Sequence, residues 1–150
     1  MPDLMTHVLT GKFITRPRHY RELFFLGLAL PDLLGRVPML LNKNSYWFIN
    51  PGHTPIGAVL AGYAISFLFD SKIRAIVFRN LMLGASLHLF EDMLQRHVTD
   101  SYYWFFPFTW KTFEIPLFWP DQSLYFIPFL LAGAGAFELV RFLRKRRRSS

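Results

Sequence analysis

The chain has 150 residues, 52% of them hydrophobic and 18% aromatic, with seventeen Phe and no Cys. One domain is the natural count at this length, and so much large apolar surface exceeds what a soluble domain this small encloses. The absence of cysteine excludes disulfides and thiolate ligands, so any metal must be held by N and O donors; the formal charge of +7, which in a soluble chain would suggest nucleic acid, here marks the cytoplasmic side of a membrane.

The first residues, Met1 to His7, lack a basic segment followed by an apolar core and a small-residue cleavage site, so no removable signal peptide is expected. Leu23 to Leu41 is apolar but interrupted by Pro31, Asp32, Arg36 and Pro38, which predicts a span kinked or broken near Asp32. Thr54 is a good N-cap and Pro55 a good first helical residue, so a helix should start there and run to Phe69. Those fifteen uncharged residues need a few more from Trp47 onward, or a thinned bilayer, to span. Ile76 to Leu94 is long enough but holds Arg79, Asn80, His88, Glu91 and Asp92, which suits a helix whose polar face looks into a bundle. Leu124 to Leu143 reads as a transmembrane helix, charged only at Glu138 and Arg141, with Gly133 and Gly135 suited to small-residue packing.

Together these segments predict an all-α fold: a small polytopic membrane bundle of about four membrane helices plus a short N-terminal helix. It forms a single domain over residues 1–150, ending in a basic cytoplasmic tail at 144–150. Alternating spans put Lys12, Arg16, Arg18, Arg21, Lys72, Arg74, Arg79, Arg141, Arg144, Lys145, Arg146, Arg147 and Arg148 on one side. Only Arg36, Lys43, Arg96 and Lys111 fall elsewhere. By the positive-inside rule both termini are then cytoplasmic, and all four Trp, at 47, 104, 110 and 119, fall in the outer connections. The run from Tyr102 to Trp110 reads as an aromatic belt at the interface or as a lipid-binding lip.

The chemistry centres on His88 and Asp92. Four residues apart on a helix, they project from one face, so an imidazole and a carboxylate can reach one ion or two adjacent ions. Glu91 borders that face as an outer partner or a general base. The alternative is a wet helix edge on which His88 is hydrogen-bonded to a neighbour. Asp32, following a proline in an apolar run, needs a cation or serves as a helix N-cap. His53 precedes a helix entering the membrane and so lies near the outer surface.

Thr6-His7, Pro31-Asp32, His53-Thr54 and His88-x-x-x-Asp92, taken with the Phe-Pro-Phe at 106–108, resemble the small bacterial membrane-bound metal-dependent hydrolases that include LexA-binding inner-membrane-associated hydrolases. The motif order is also similar to that of zinc-dependent phospholipases C. Many such relatives have a second acid after Pro-Asp-x and an Arg-Gly after the His; here those places hold Leu34 and Thr54-Pro55. The resemblance implies an all-helical fold with His7, Asp32, His53, His88 and Asp92 as metal ligands. His7 raises a geometric difficulty, because residues 4–13 are too few to cross a bilayer at about 1.5 Å per residue. Either His7 is not a ligand or the N-terminal helix dips inward.

The resulting expectation is a hydrolase of the bacterial inner membrane. A divalent ion, with zinc favoured by imidazole and carboxylate donors, would activate water toward an ester or phosphodiester of a lipid-like substrate, with Glu91 or Asp92 moving the proton. Membrane lipid is the expected partner and nucleic acid is not. The competing expectation is a non-enzymatic anchor or regulator whose polar cluster holds a structural ion.

Overall fold

A computed structural model describes residues 3–14, 20–42, 49–96 and 102–148. Arg16, Arg18, Lys43 and Trp47, each assigned a side of the membrane by the sequence patterns, lie outside the described residues. Within them the protein is all-α, with no strand. In chain order the helices are α1 (Asp3–Ile14), α2 (Arg21–Leu41), the single turn α3 (Ile49–Gly52), α4 (Pro55–Ser66), α5 (Ser71–Leu94) and α6 (Pro120–Arg148). Of these, α5 is long and apolar enough to cross a membrane; α4 and the Tyr125–Val140 part of α6 are apolar but shorter.

α2 is not broken near Asp32: it runs as one helix through Pro31 and Pro38. Its neighbour explains why a proline is tolerated in mid-helix. α2 and α5 lie side by side in the same direction, their backbones meeting at two glycines. A Cβ on Gly27 would stand 2.2 Å from the Leu81 carbonyl oxygen, and one on Gly84 only 2.1 Å from that of Phe24. Packing at this closeness holds the helix through the turn in which Pro31 lacks an N–H to donate. An N-cap role for Asp32 is excluded, since it lies well inside the helix.

α4 starts as expected: Thr54 accepts a hydrogen bond from the Gly57 amide at 3.0 Å, and Pro55 occupies the first turn. It packs antiparallel to α5, with Ala58 against Ala85 and Leu89 in a small buried cluster that Met82 and Trp104 also touch. α1 runs back along α2, where Gly11 meets Phe24 and Leu28, and α6 packs along α1.

The carboxyl end of α5 is held by the segment beyond it. Ile115 and Leu117 donate their amides to the Met93 and Leu94 carbonyls at 2.8 and 3.0 Å, and Arg96 donates to Phe118 at 2.9 Å. These bonds satisfy carbonyls that a helix end leaves without intrahelical donors. The opposite ends of α1, α2 and α5 carry Lys12, Arg21, Lys72 and Arg74.

In α6, where Gly133 and Gly135 suit small-residue packing, a Cβ on Gly135 would meet nothing within 4 Å. Much of α6 and α4 is instead outward and apolar: Leu60 is 63% exposed, Tyr125 74% and Phe129 76%.

Candidate metal centre

Four segments bring the five sequence-derived ligand candidates to the carboxyl end of α5. The helical repeat sets His88 and Asp92 one turn apart on the inward face, both buried, with His88 Nε2 at 3.2 Å from Asp92 Oδ2. α1 delivers His7, whose Nε2 lies 3.5 Å from Asp92 Oδ1 while its Nδ1 contacts Glu91 Oε2. α2 presents Asp32 from the turn after Pro31. Its Oδ1 is 3.2 Å from His53 Nε2, and equally 3.2 Å from the Nε of Arg36 one turn further on. The imidazole of His53 enters from just before α4, ring centroid 5.7 Å from that of His88.

His7 therefore resolves its own difficulty: α1 begins at the end of the bundle where His53 and Asp92 lie and carries its side chain among them. His7 and His88 rings approach to 4.2 Å between centroids.

The side chains form two triads that share His88. In one, His7, His88 and Asp92, and in the other, Asp32, His53 and His88, each residue offers a ligand atom within 4.8 Å of the others, and all five residues are buried. These groups can hold a metal ion.

The donor chemistry fits a cation. Both ring nitrogens of His88, Nε2 of His7 and Oδ2 of Asp92 are buried without a hydrogen-bond partner. The 3.2 and 3.5 Å approaches among them are close in distance but lack hydrogen-bond geometry. A buried polar atom left unpaired costs about 1–3 kcal/mol. Four such atoms gathered in one place share a need that imidazole nitrogens and carboxylates meet together on a divalent ion.

Electrostatics around His7 point the same way. Glu91 Oε2 contacts its Nδ1 and Asp92 Oδ1 lies 3.5 Å from its Nε2, so two carboxylates favour a cation beside this ring.

Three contacts add detail to the sequence reading of the site. Tyr102 stacks on His53, ring centroids 4.7 Å apart and planes 10° from parallel, and is buried. The aromatic run is therefore divided: Tyr102 and Trp104 turn inward over the site, whereas Phe105, Phe108 and Trp110 are exposed. Arg36, at i+4 from Asp32, was readable as its partner from spacing alone. Glu91 holds Nδ1 of His7, from a helix 84 residues away; no local pattern announces that contact.

No family model, curated protein or solved structure matches the chain, so the functional argument rests on this geometry.

Proposed function

We propose that the protein is a membrane-bound, metal-dependent hydrolase of the kind its motif order resembles, acting on an ester or phosphodiester of an amphiphilic substrate. The observation that carries this reading is the convergence of unpartnered imidazole and carboxylate donors in one buried cluster. Zinc is the ion best matched to three His and two Asp. When bound, it supplies a Lewis acid and lowers the pKa of water toward about 7.

The chain's own residues divide the remaining work. Two triads hold the metal, His7, His88 and Asp92 on one side and Asp32, His53 and His88 on the other. Glu91 Oε2 fixes the His7 ring so that Nε2 faces the site, as carboxylates commonly do for metal-bound histidines. Its second oxygen, Oε1, is buried and has no hydrogen-bond partner, which suits it to take a proton from water. Asp92 is turned to His7 and His88 and acts as a ligand rather than as the base. Tyr102 covers His53 and limits entry of bulk water.

A membrane setting is supported by the exposed large apolar side chains along α4 and α6. The clustering of Lys12, Arg21, Lys72 and Arg74 at the end away from the site supports a cytoplasmic position for that end. On this reading the site belongs to the outer half of the bilayer of the bacterial inner membrane. The carboxyl terminus is cytoplasmic, but α1 starts at the level of the site, so the amino terminus does not share that side.

The test is turnover by detergent-purified protein over a panel of phospholipids, phosphomonoesters and carboxylic esters. Hydrolysis of at least one amphiphile should be lost with a chelator and restored by zinc. In Glu91→Gln at saturating zinc it should fall by about 10²–10⁴, the usual contribution of a general base. A stably bound ion with no turnover on any member would instead favour the anchor or regulator with a structural ion.

A further inference from the structure

Beside the metal centre, between α1, α6 and the end of α5, lies a half-open cavity of about 240 Å³. Its exposed surface is almost entirely hydrocarbon, with Leu94, Phe118, Phe126 and Leu130 in the lining, and His7 and Glu91 of the metal centre border it. The volume lies below the roughly 300–1,000 Å³ of sites that enclose a whole drug-sized ligand, so it suits one part of a larger molecule. Phe126 lines the cavity yet is 53% exposed, and its neighbours Phe129 and Tyr125 are more exposed still. The hydrocarbon wall is thus continuous with the outward apolar face of α6. Of the polar residues that border it, Glu91 Oε1 and Thr6 Oγ1 are buried without hydrogen-bond partners. An apolar slot that meets the outer apolar face at one side and borders His7 and Glu91 of the metal centre suits the hydrocarbon chain of a ligand whose polar part lies at the metal ligands.

We infer that this cavity is the acyl-chain subsite of the substrate. One hydrocarbon chain of a membrane lipid enters laterally past Phe126 and lies against Leu94, Phe118 and Leu130, leaving the polar backbone of the lipid at Glu91 and His7 beside the metal ligands. The inference rests on the hydrolase reading for its use of the word substrate, but occupancy of the cavity by a chain is measurable without turnover. A docked chain selects lipids by their hydrocarbon part, which the ligands alone cannot do, and it sets the scissile group at one depth relative to Glu91 Oε1.

The experiment is photocrosslinking in vesicles of phosphatidylethanolamine and phosphatidylglycerol doped with a phosphatidylglycerol that carries a diazirine in the middle of one acyl chain. Adducts mapped by peptide mass spectrometry should concentrate on Leu94, Phe118, Phe126 and Leu130. They should be lost at those positions in Leu130→Trp, which fills the slot. A second variant, Phe126→Ala, opens the mouth without adding bulk and should keep the adducts at Leu94 and Leu130. Metal content and helicity of each variant, measured in parallel, show that the fold and the ligands are intact. Adducts spread over the outward residues of α4 and α6 and unchanged by Leu130→Trp would overturn the inference. Failure of the hydrolase reading has a different signature, absence of metal in the wild type, which leaves the adduct pattern unaffected.

Discussion

His88→Ala should abolish metal retention, because His88 belongs to both triads and its removal leaves neither complete. His7→Ala removes a donor from the first triad only, and Asp32→Ala from the second only. Each should therefore bind zinc more weakly than wild type yet more tightly than His88→Ala. Glu91→Gln keeps all five donors and loses only the carboxylate that orients His7, for which a 10–100-fold fall in affinity is expected. Competition of purified variants with a chromophoric chelator reads all four affinities on one scale. Equal affinities for His7→Ala and wild type would remove α1 from the centre. Equal losses in His7→Ala, Asp32→Ala and His88→Ala would argue for one ion held by all five residues as a unit.

Gly84→Leu should prevent the bundle from forming. A Cβ at Gly84 would already lie 2.1 Å from the Phe24 carbonyl oxygen and 2.5 Å from the Leu28 amide nitrogen, both of them backbone atoms that cannot rotate away. α2 and α5 would have to separate, at a cost of about 1–3 kcal/mol or more for the overpacking. Asp32 and His88 are each four residues beyond this contact, on α2 and α5 respectively, so the separation also pulls the two triads apart. Gly27→Leu meets the same obstacle at the Leu81 carbonyl. The matched control is Gly135→Ala, where a Cβ meets nothing within 4 Å; it should be neutral or stabilising by up to about 1 kcal/mol through helix propensity. Thermal unfolding in detergent, followed by helicity, separates these outcomes. Unfolding of Gly84→Leu at the wild-type temperature would show that the helices are not in the close contact described.

Which parts were legible in the sequence follows from the range of the interactions involved. The start of α4 was readable because an N-cap is local: Thr54 and Pro55 carry the whole signal within two residues. The shared face of His88 and Asp92 was readable for the same reason, through the helical repeat. The need of Asp32 for a partner is legible, whereas the continuity of the helix around it is not. Pro31 signals a break from local chemistry, and the packing of Gly27 against Leu81 that keeps α2 continuous involves a residue 54 positions away. The glycines show the same limit: Gly135 stands out in the apolar run of α6 but meets nothing, whereas Gly27 and Gly84 make the close contacts between α2 and α5. His7 was the hardest case. Its place depends on the direction in which α1 runs along α2, and nothing in residues 4–13 encodes that direction.

Metal analysis of the wild-type protein, purified in detergent without added metal or chelator, tests the central claim most directly. The account predicts near-stoichiometric divalent metal, zinc foremost, retained through dialysis and lost in His88→Ala prepared in parallel. A wild-type protein that is folded, helical and monodisperse but holds only trace metal, and takes up none from buffered zinc, would contradict it.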